Sequence, residues 1–99
     1  MTHENLVALD VADPASYQRY RDVMTPLLQG MGGDFRYDFE IARTLRSEAK
    51  HPINRLFAIR FPSREVKEKF FADPAYVQAR QQFFTPAVRN LTIVAEYEY

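Results

Sequence analysis

From Phe35 to Ile41 the chain alternates without a break. Phe35, Tyr37, Phe39 and Ile41 are apolar or aromatic, and Arg36, Asp38 and Glu40 between them are charged. A period of two sends successive side chains to opposite faces, so this is a β-strand with one apolar and one charged face. Such a strand is not stable alone; it needs partner strands and a second layer over its apolar side.

Three further runs supply the partners. Asn5 to Val11 is rich in Val, Ala and Leu. Ile53 to Phe61 carries Phe57, Ile59 and Phe61 on one parity and Leu56, Ala58 and Arg60 on the other. Asn90 to Tyr97 sets Leu91, Ile93, Ala95 and Tyr97 against Thr92, Val94 and Glu96. Each reads as a strand.

Helix signals lie between them. Asp13-Pro14 is an N-cap followed by proline at the first helical position. Tyr17, Tyr20, Met24, Leu27, Leu28 and Met31 follow at spacings of three and four, one apolar stripe. Pro26 lacks an N–H and crowds the preceding turn, which predicts a kink or a break near Thr25. Gly32-Gly33 ends this helix. Ser63 caps a second helix over Arg64 to Ala72, and Asp73-Pro74 opens a short one that Thr85-Pro86 stops. The polar, basic stretch from Thr44 to Pro52 is a loop.

The order is therefore β-α-β-β-α-β, with the second helix in two pieces. In a chain of 99 residues this predicts one α+β domain over 1–99, a ferredoxin-like sandwich. Right-handed crossovers set both helical segments on one face of a four-stranded antiparallel sheet. Sorted by parity, the face under the helices takes Val7, Leu9, Val11, Phe35, Tyr37, Phe39, Ile41, Phe57, Ile59, Phe61, Leu91, Ile93, Ala95 and Tyr97. The other face takes Leu6, Ala8, Asp10, Arg36, Asp38, Glu40, Ala42, Leu56, Ala58, Arg60, Thr92, Val94 and Glu96. The second set is too charged for a dry core. It is either a solvated face or one that meets a second copy of the chain across a wet cavity.

Lys plus Arg and Asp plus Glu are balanced at 13 each, so the chain lacks the basic field of a nucleic-acid binder and the polybasic face of a membrane-surface helix. With no cysteine, thiolate catalysis, disulfides and Cys-based metal sites are excluded, which fits the cytoplasm. The polar start, Met1 to Asn5, is not followed by an apolar run long enough for a signal peptide or a membrane span. There is no P-loop, dinucleotide fingerprint, nucleophile elbow or zinc-helix motif. His3 and His51 stand in polar, solvated stretches, and no metal or other cofactor is expected.

Asp10, Arg36, Glu40, Arg60 and Glu96 are the candidate binding residues, expected to converge on one cavity at the charged face. A carboxylate there would serve as a general base if burial raised its pKa, and an arginine would hold an anionic substrate. The competing reading makes them Arg–carboxylate pairs at an interface or in solvent.

Three stretches carry a resemblance: Tyr17-x-x-Tyr20 with Thr25-Pro26-Leu27-Leu28 and Gly32-Gly33; Arg60-Phe61-Pro62-Ser63 with Phe70-Phe71; and Asp73-Pro74-Ala75-Tyr76 with Gln78 and Arg80. Together they resemble the family known as domain of unknown function 1330, in the dimeric α/β-barrel superfamily. The strand Asp34 to Glu40 departs from that family, which usually has a further Gly-rich stretch there. The resemblance implies a ferredoxin-like subunit that forms a homodimer through its open sheet face. It leaves two functions: a cofactor-free enzyme or binder of a small organic, anionic molecule, or a non-catalytic structural or partner-binding dimer.

Overall fold

A computed structural model describes all residues, Met1–Tyr99. The order is β1 (His3–Val11), α1 (Pro14–Gly30), β2 (Asp34–Glu40), β3 (Arg55–Phe61), α2 (Arg64–Ala72), α3 (Pro74–Ala79), a π-helical turn over Arg80–Phe84, and β4 (Val88–Glu98). The four strands form one antiparallel sheet in the order β2-β3-β1-β4, the ferredoxin-like arrangement. No helix is long and apolar enough to cross a membrane.

The helix starts follow their capping residues. The Asp13 carboxylate accepts from the Ser16 N–H at 3.1 Å, Ser63 Oγ accepts from the Val66 N–H at 3.2 Å, and Asp73 accepts from the Ala75 N–H at 2.9 Å. Of the kink or break expected near Thr25, the break does not occur: α1 runs from Pro14 to Gly30 with Pro26 inside it. Burial of Met24 before the proline and Leu28 after it holds both halves on one stripe against the sheet, and that packing outweighs the one missing hydrogen bond. Two residues beyond the end of α1 the chain turns at Gly32, whose φ of +84° is left-handed.

Gly33 is required for a different reason. A Cβ there would lie 2.8 Å from the Arg60 carbonyl oxygen and 2.5 Å from Leu28 Cδ1, so backbone as well as side chain would have to move. Gly33→Ala is expected to cost about 1–3 kcal/mol, as overpacking does in a filled core; a urea midpoint within error of the parent's would contradict this.

The core lies between helices and sheet and is built on Leu9, Tyr17, Leu28, Phe61 and Phe70, each at most 1% exposed.

Three register shifts interrupt the sheet, one of them at Arg89 near the start of β4, and the other two decide which side chains of β2 and β4 face this layer. On β2, Phe35 pairs with Ile59 and Tyr37 with Ala58, so Arg36 is an extra residue opposite no partner. On β4, Ala95 pairs with Leu6 and Ile93 with Val7, so Val94 is extra. A bulge of one residue sends every later side chain to the opposite face. The strict alternation expected from sequence is therefore corrected beyond these points. Tyr37, Phe39, Ala95 and Tyr97 lie on the open face, not under the helices. Asp38, Glu40 and Glu96 lie on the helical side, not on the open face. Ile41 falls just past the end of β2.

Candidate functional site

The helices do not fill the space above the sheet completely. A cavity of about 320 Å³ remains, lined by 16 residues of which 11 are hydrophobic. Its floor comes from β1, β3 and β4, including Asn5, Ile59 and Ile93; its roof comes from α1, α2, α3 and the π-helical turn. A mostly apolar pocket with a few fixed polar groups is the usual form of a small-molecule site. It opens beside the edge strand β4, where Leu91 and Ile93 are 41% and 48% exposed despite facing the helical layer.

Asn5 sits on the same parity of β1 as Val7 and Leu9, so its side chain joins the apolar floor. It is 7% exposed, and its Oδ1 is the one buried side-chain oxygen or nitrogen left without a hydrogen bond. Left unmet, such an orphan costs about 1–3 kcal/mol, so a water or a ligand group in the cavity would be stabilised beside it.

Across from the floor, the hydroxyls of Tyr20 on α1 and Tyr76 on α3 lie 2.9 Å apart. Burial first, and then its neighbour Tyr76, push the Tyr20 phenol well above the ordinary range, so it stays protonated. One hydroxyl donates to the other, which leaves one O–H of the pair free to donate elsewhere. Arg80 follows at the start of the π-helical turn, closed by the Thr85 N–H donating to the Arg80 carbonyl at 2.9 Å. Turns of this kind recur at functional sites. The Arg80 guanidinium stands 4.9 Å from the Phe84 ring centre, and no carboxylate pairs with it.

The other cavity cations are engaged. Arg21 donates through Nε to Tyr17 Oη at 2.7 Å and through Nη1 to Asp38 at 3.0 Å, and it lies 3.8 Å from the Phe35 ring centre. Arg55 holds the same Asp38 with two bonds of 2.8 Å. Burial alone would raise the Asp38 pKa, but the Arg55 hydrogen bonds and the charges of Arg21 and Arg55 outweigh it and lower the value. Glu96 accepts from Lys67 Nζ at 2.6 Å and from His3 Nε2 at 2.7 Å. The Lys67 hydrogen bond, then that of His3, hold the Glu96 carboxyl down at about 2.

That shift has a consequence for acid stability. The folded state binds the Glu96 proton less tightly than the unfolded chain does, so its contribution is full above about 4.5 and fades as the pH falls toward about 2. Glu96→Gln is expected to flatten the acid limb of the stability profile between those values. An unchanged slope would show that Glu96 is not held in this pairing.

The five residues singled out from sequence do not share one cavity. Of them only Glu96 reaches the pocket beneath the helices. Arg36 and Arg60 lie on the open face: Arg36 donates twice at 2.7 Å to the fully buried Glu4, and Arg60 donates to Asp34 at 2.6 Å. Tyr97 and Tyr99 also donate to Glu4. Asp10 is at the other end of β1, accepting from Asn90 at 3.2 Å. Glu40 lies at a shallow depression with Tyr17 and Arg55. The bulges move Glu40 and Glu96 to the helical side, and Asp10 is set apart from Arg36 and Arg60 by its place at the other end of β1. His3, expected in a solvated terminus, is 3% exposed within β1. His51 does lie in a loop, but that loop folds back, and its Nε2 is 2.7 Å from Thr92 Oγ1. No three His, Asp or Glu side chains are grouped to hold a metal ion.

Asn5, Tyr76, Arg80 and Arg21 were missed as site residues. Two left a trace in the sequence: Asn5 is a polar residue on an apolar parity, and Arg21 interrupts the stripe one turn after Tyr17.

Residues 5–97 match the family described as Domain of unknown function (DUF1330). The chain belongs to that family. The DUF1330 fold is matched by a protein of unknown function from Rhodopseudomonas palustris, with a TM-score of 0.81 at 17% identity over 99% of this chain and 82% of that one. A dabb family protein with a ferredoxin-like fold from Mesorhizobium loti gives 0.69 at 13% identity, over 99% and 96% of the two chains. A dimeric ferredoxin-like protein of unknown function from Jannaschia sp. CCS1 gives 0.59 at 14% identity, over 100% of both. These identities carry the fold and no activity. Among curated proteins, none is detectably similar in sequence.

Proposed function

We propose that this DUF1330 chain is a homodimer whose subunits each bind a small organic molecule in the cavity beneath the helices. The observation that carries the binding reading is the orphaned Asn5 Oδ1, a buried acceptor in a mostly apolar pocket, which a ligand hydroxyl or amide would satisfy. The groups present favour holding a molecule over moving its protons. Tyr20 stays protonated, and Glu96 is a weak base already engaged by two partners. Neither has the middling pKa of an efficient general base, so the general-base role considered for a buried carboxylate is not supported at Glu96.

The dimer reading rests on the open face. After the bulges it presents Tyr37 and Phe39, each 50% exposed, with Tyr97 and Tyr99 at 37% and 50%. An apolar and aromatic patch on a sheet is a typical contact surface, and dimers occur among proteins of this fold.

Titration of ¹⁵N-labelled protein with small aromatic acids, alcohols and amides tests the cavity. Shifts clustered at Asn5, Tyr20 and Tyr76 are expected. Shifts confined to the open face, or none with any compound, would overturn the binding reading. Light scattering tests the dimer: a mass near twice 11.6 kDa is expected, falling to one subunit in Phe39→Arg. A parent protein already at one subunit's mass would refute it.

A further inference from the structure

The cavity's polar groups are unevenly spent, and what remains unspent describes a ligand. Arg21 is committed to Asp38, and Lys67 to Glu96, each within 3.0 Å. Arg80 faces the same cavity with no carboxylate partner; its only close neighbour of note is the Phe84 ring. Beside it stand the Tyr20 and Tyr76 hydroxyls, which share one hydrogen bond and hold one further proton to donate. On the sheet floor opposite, the Asn5 Oδ1 acceptor is unused. Ile59, Phe71 and Met24 line the same cavity and offer no hydrogen bonds.

We propose that the ligand is a monoanionic amphiphile: a carboxylate or similar anionic head held by Arg80 and the free O–H of the Tyr20–Tyr76 pair, with an aromatic or aliphatic body over the apolar floor. A hydroxyl or amide donor elsewhere on the body would satisfy Asn5. This rests on the reading of the cavity as a small-molecule site and adds the chemical class. Guanidinium and phenol together supply charge-assisted bonds to a planar carboxylate. The unpaired cation at the roof favours an anion over a cation, and the orphan acceptor on the floor offers a further bond to a body that carries a donor.

Calorimetry with 2-naphthoate and its neutral isostere 2-naphthamide separates the possibilities. Naphthoate is expected to bind at least tenfold more tightly than naphthamide. Arg80→Gln, a change at an exposed position, should erase that difference by weakening naphthoate far more than naphthamide. Tyr76→Phe should weaken naphthoate several-fold. If naphthamide binds as tightly as naphthoate, or Arg80→Gln leaves the preference standing, the anionic class is overturned while the pocket survives. If neither compound binds, the pocket reading fails and this inference with it.

Discussion

Phe70→Ala is expected to destabilise the fold by about 3–5 kcal/mol, the range for deleting a fully buried phenylalanine. Phe70 on α2 is 0% exposed, and its ring centre lies 4.5 Å from that of Tyr76, 5.2 Å from Phe71 and 5.7 Å from Phe61. It thus ties α2 both to β3 and to α3. Truncation leaves a void among stiff rings that cannot collapse into it, and small domains have only about 5–15 kcal/mol in reserve. Because Tyr76 belongs to the proposed site, the variant should also weaken binding of naphthoate at temperatures where it remains folded. Urea unfolding at fixed protein concentration measures the effect, since subunit association would add to apparent stability. A loss below about 1 kcal/mol, the size of an average substitution, would mean that the aromatic cluster is not packed this way.

Asp38→Ala is expected to cost about 3 kcal/mol. Removing one partner of a buried ion pair leaves the other charge uncompensated, and that penalty is about 3–5 kcal/mol for fully buried pairs. The low end applies because the Asp38 side chain is 31% exposed, while that of Arg21 is only 8% exposed. Arg21 would keep its bond to Tyr17 and its place against Phe35, but its charge would have no counterpart under the helices. Asp38→Asn retains an acceptor for Arg55 and should cost less than the alanine variant. Equal, small losses in both would contradict the placement of Asp38 on the helical side and, with it, the bulge at Arg36.

That bulge marks the limit of what was legible in the residues. Strand and helix identities followed from local patterns: capping aspartates and serine before each helix, a three-and-four apolar spacing in α1, and alternation in β2. Each of these is decided within a few residues of chain. The element order then admitted few topologies, and the ferredoxin-like one is the one formed. Register is a property of two strands at once. Nothing in Phe35-Arg36-Tyr37 announces an extra residue, and no glycine flags it. The consequence is large because side chains beyond it change sides. The charged set that looked like one surface falls into four groups: Arg36 and Arg60 with Glu4 and Asp34, Asp38 and Glu40 beside Arg55, Glu96 with Lys67 and His3, and Asp10 with Asn90. Pro26 is the milder case, where tertiary packing keeps the helix from breaking.

The same exchange makes the open face more aromatic than strict alternation implies and gives the helical side its ion pairs. It therefore supports both halves of the functional account: a contact surface on one side of the sheet and a polarised pocket on the other. The most direct test is a crystal structure of the protein grown with 6-bromo-2-naphthoate, located by the anomalous signal of its bromine. The account predicts a bromine peak inside the cavity beneath the helices, with the carboxylate at Arg80. A peak on the open sheet face, or between subunits, with the cavity empty of ligand, would contradict it.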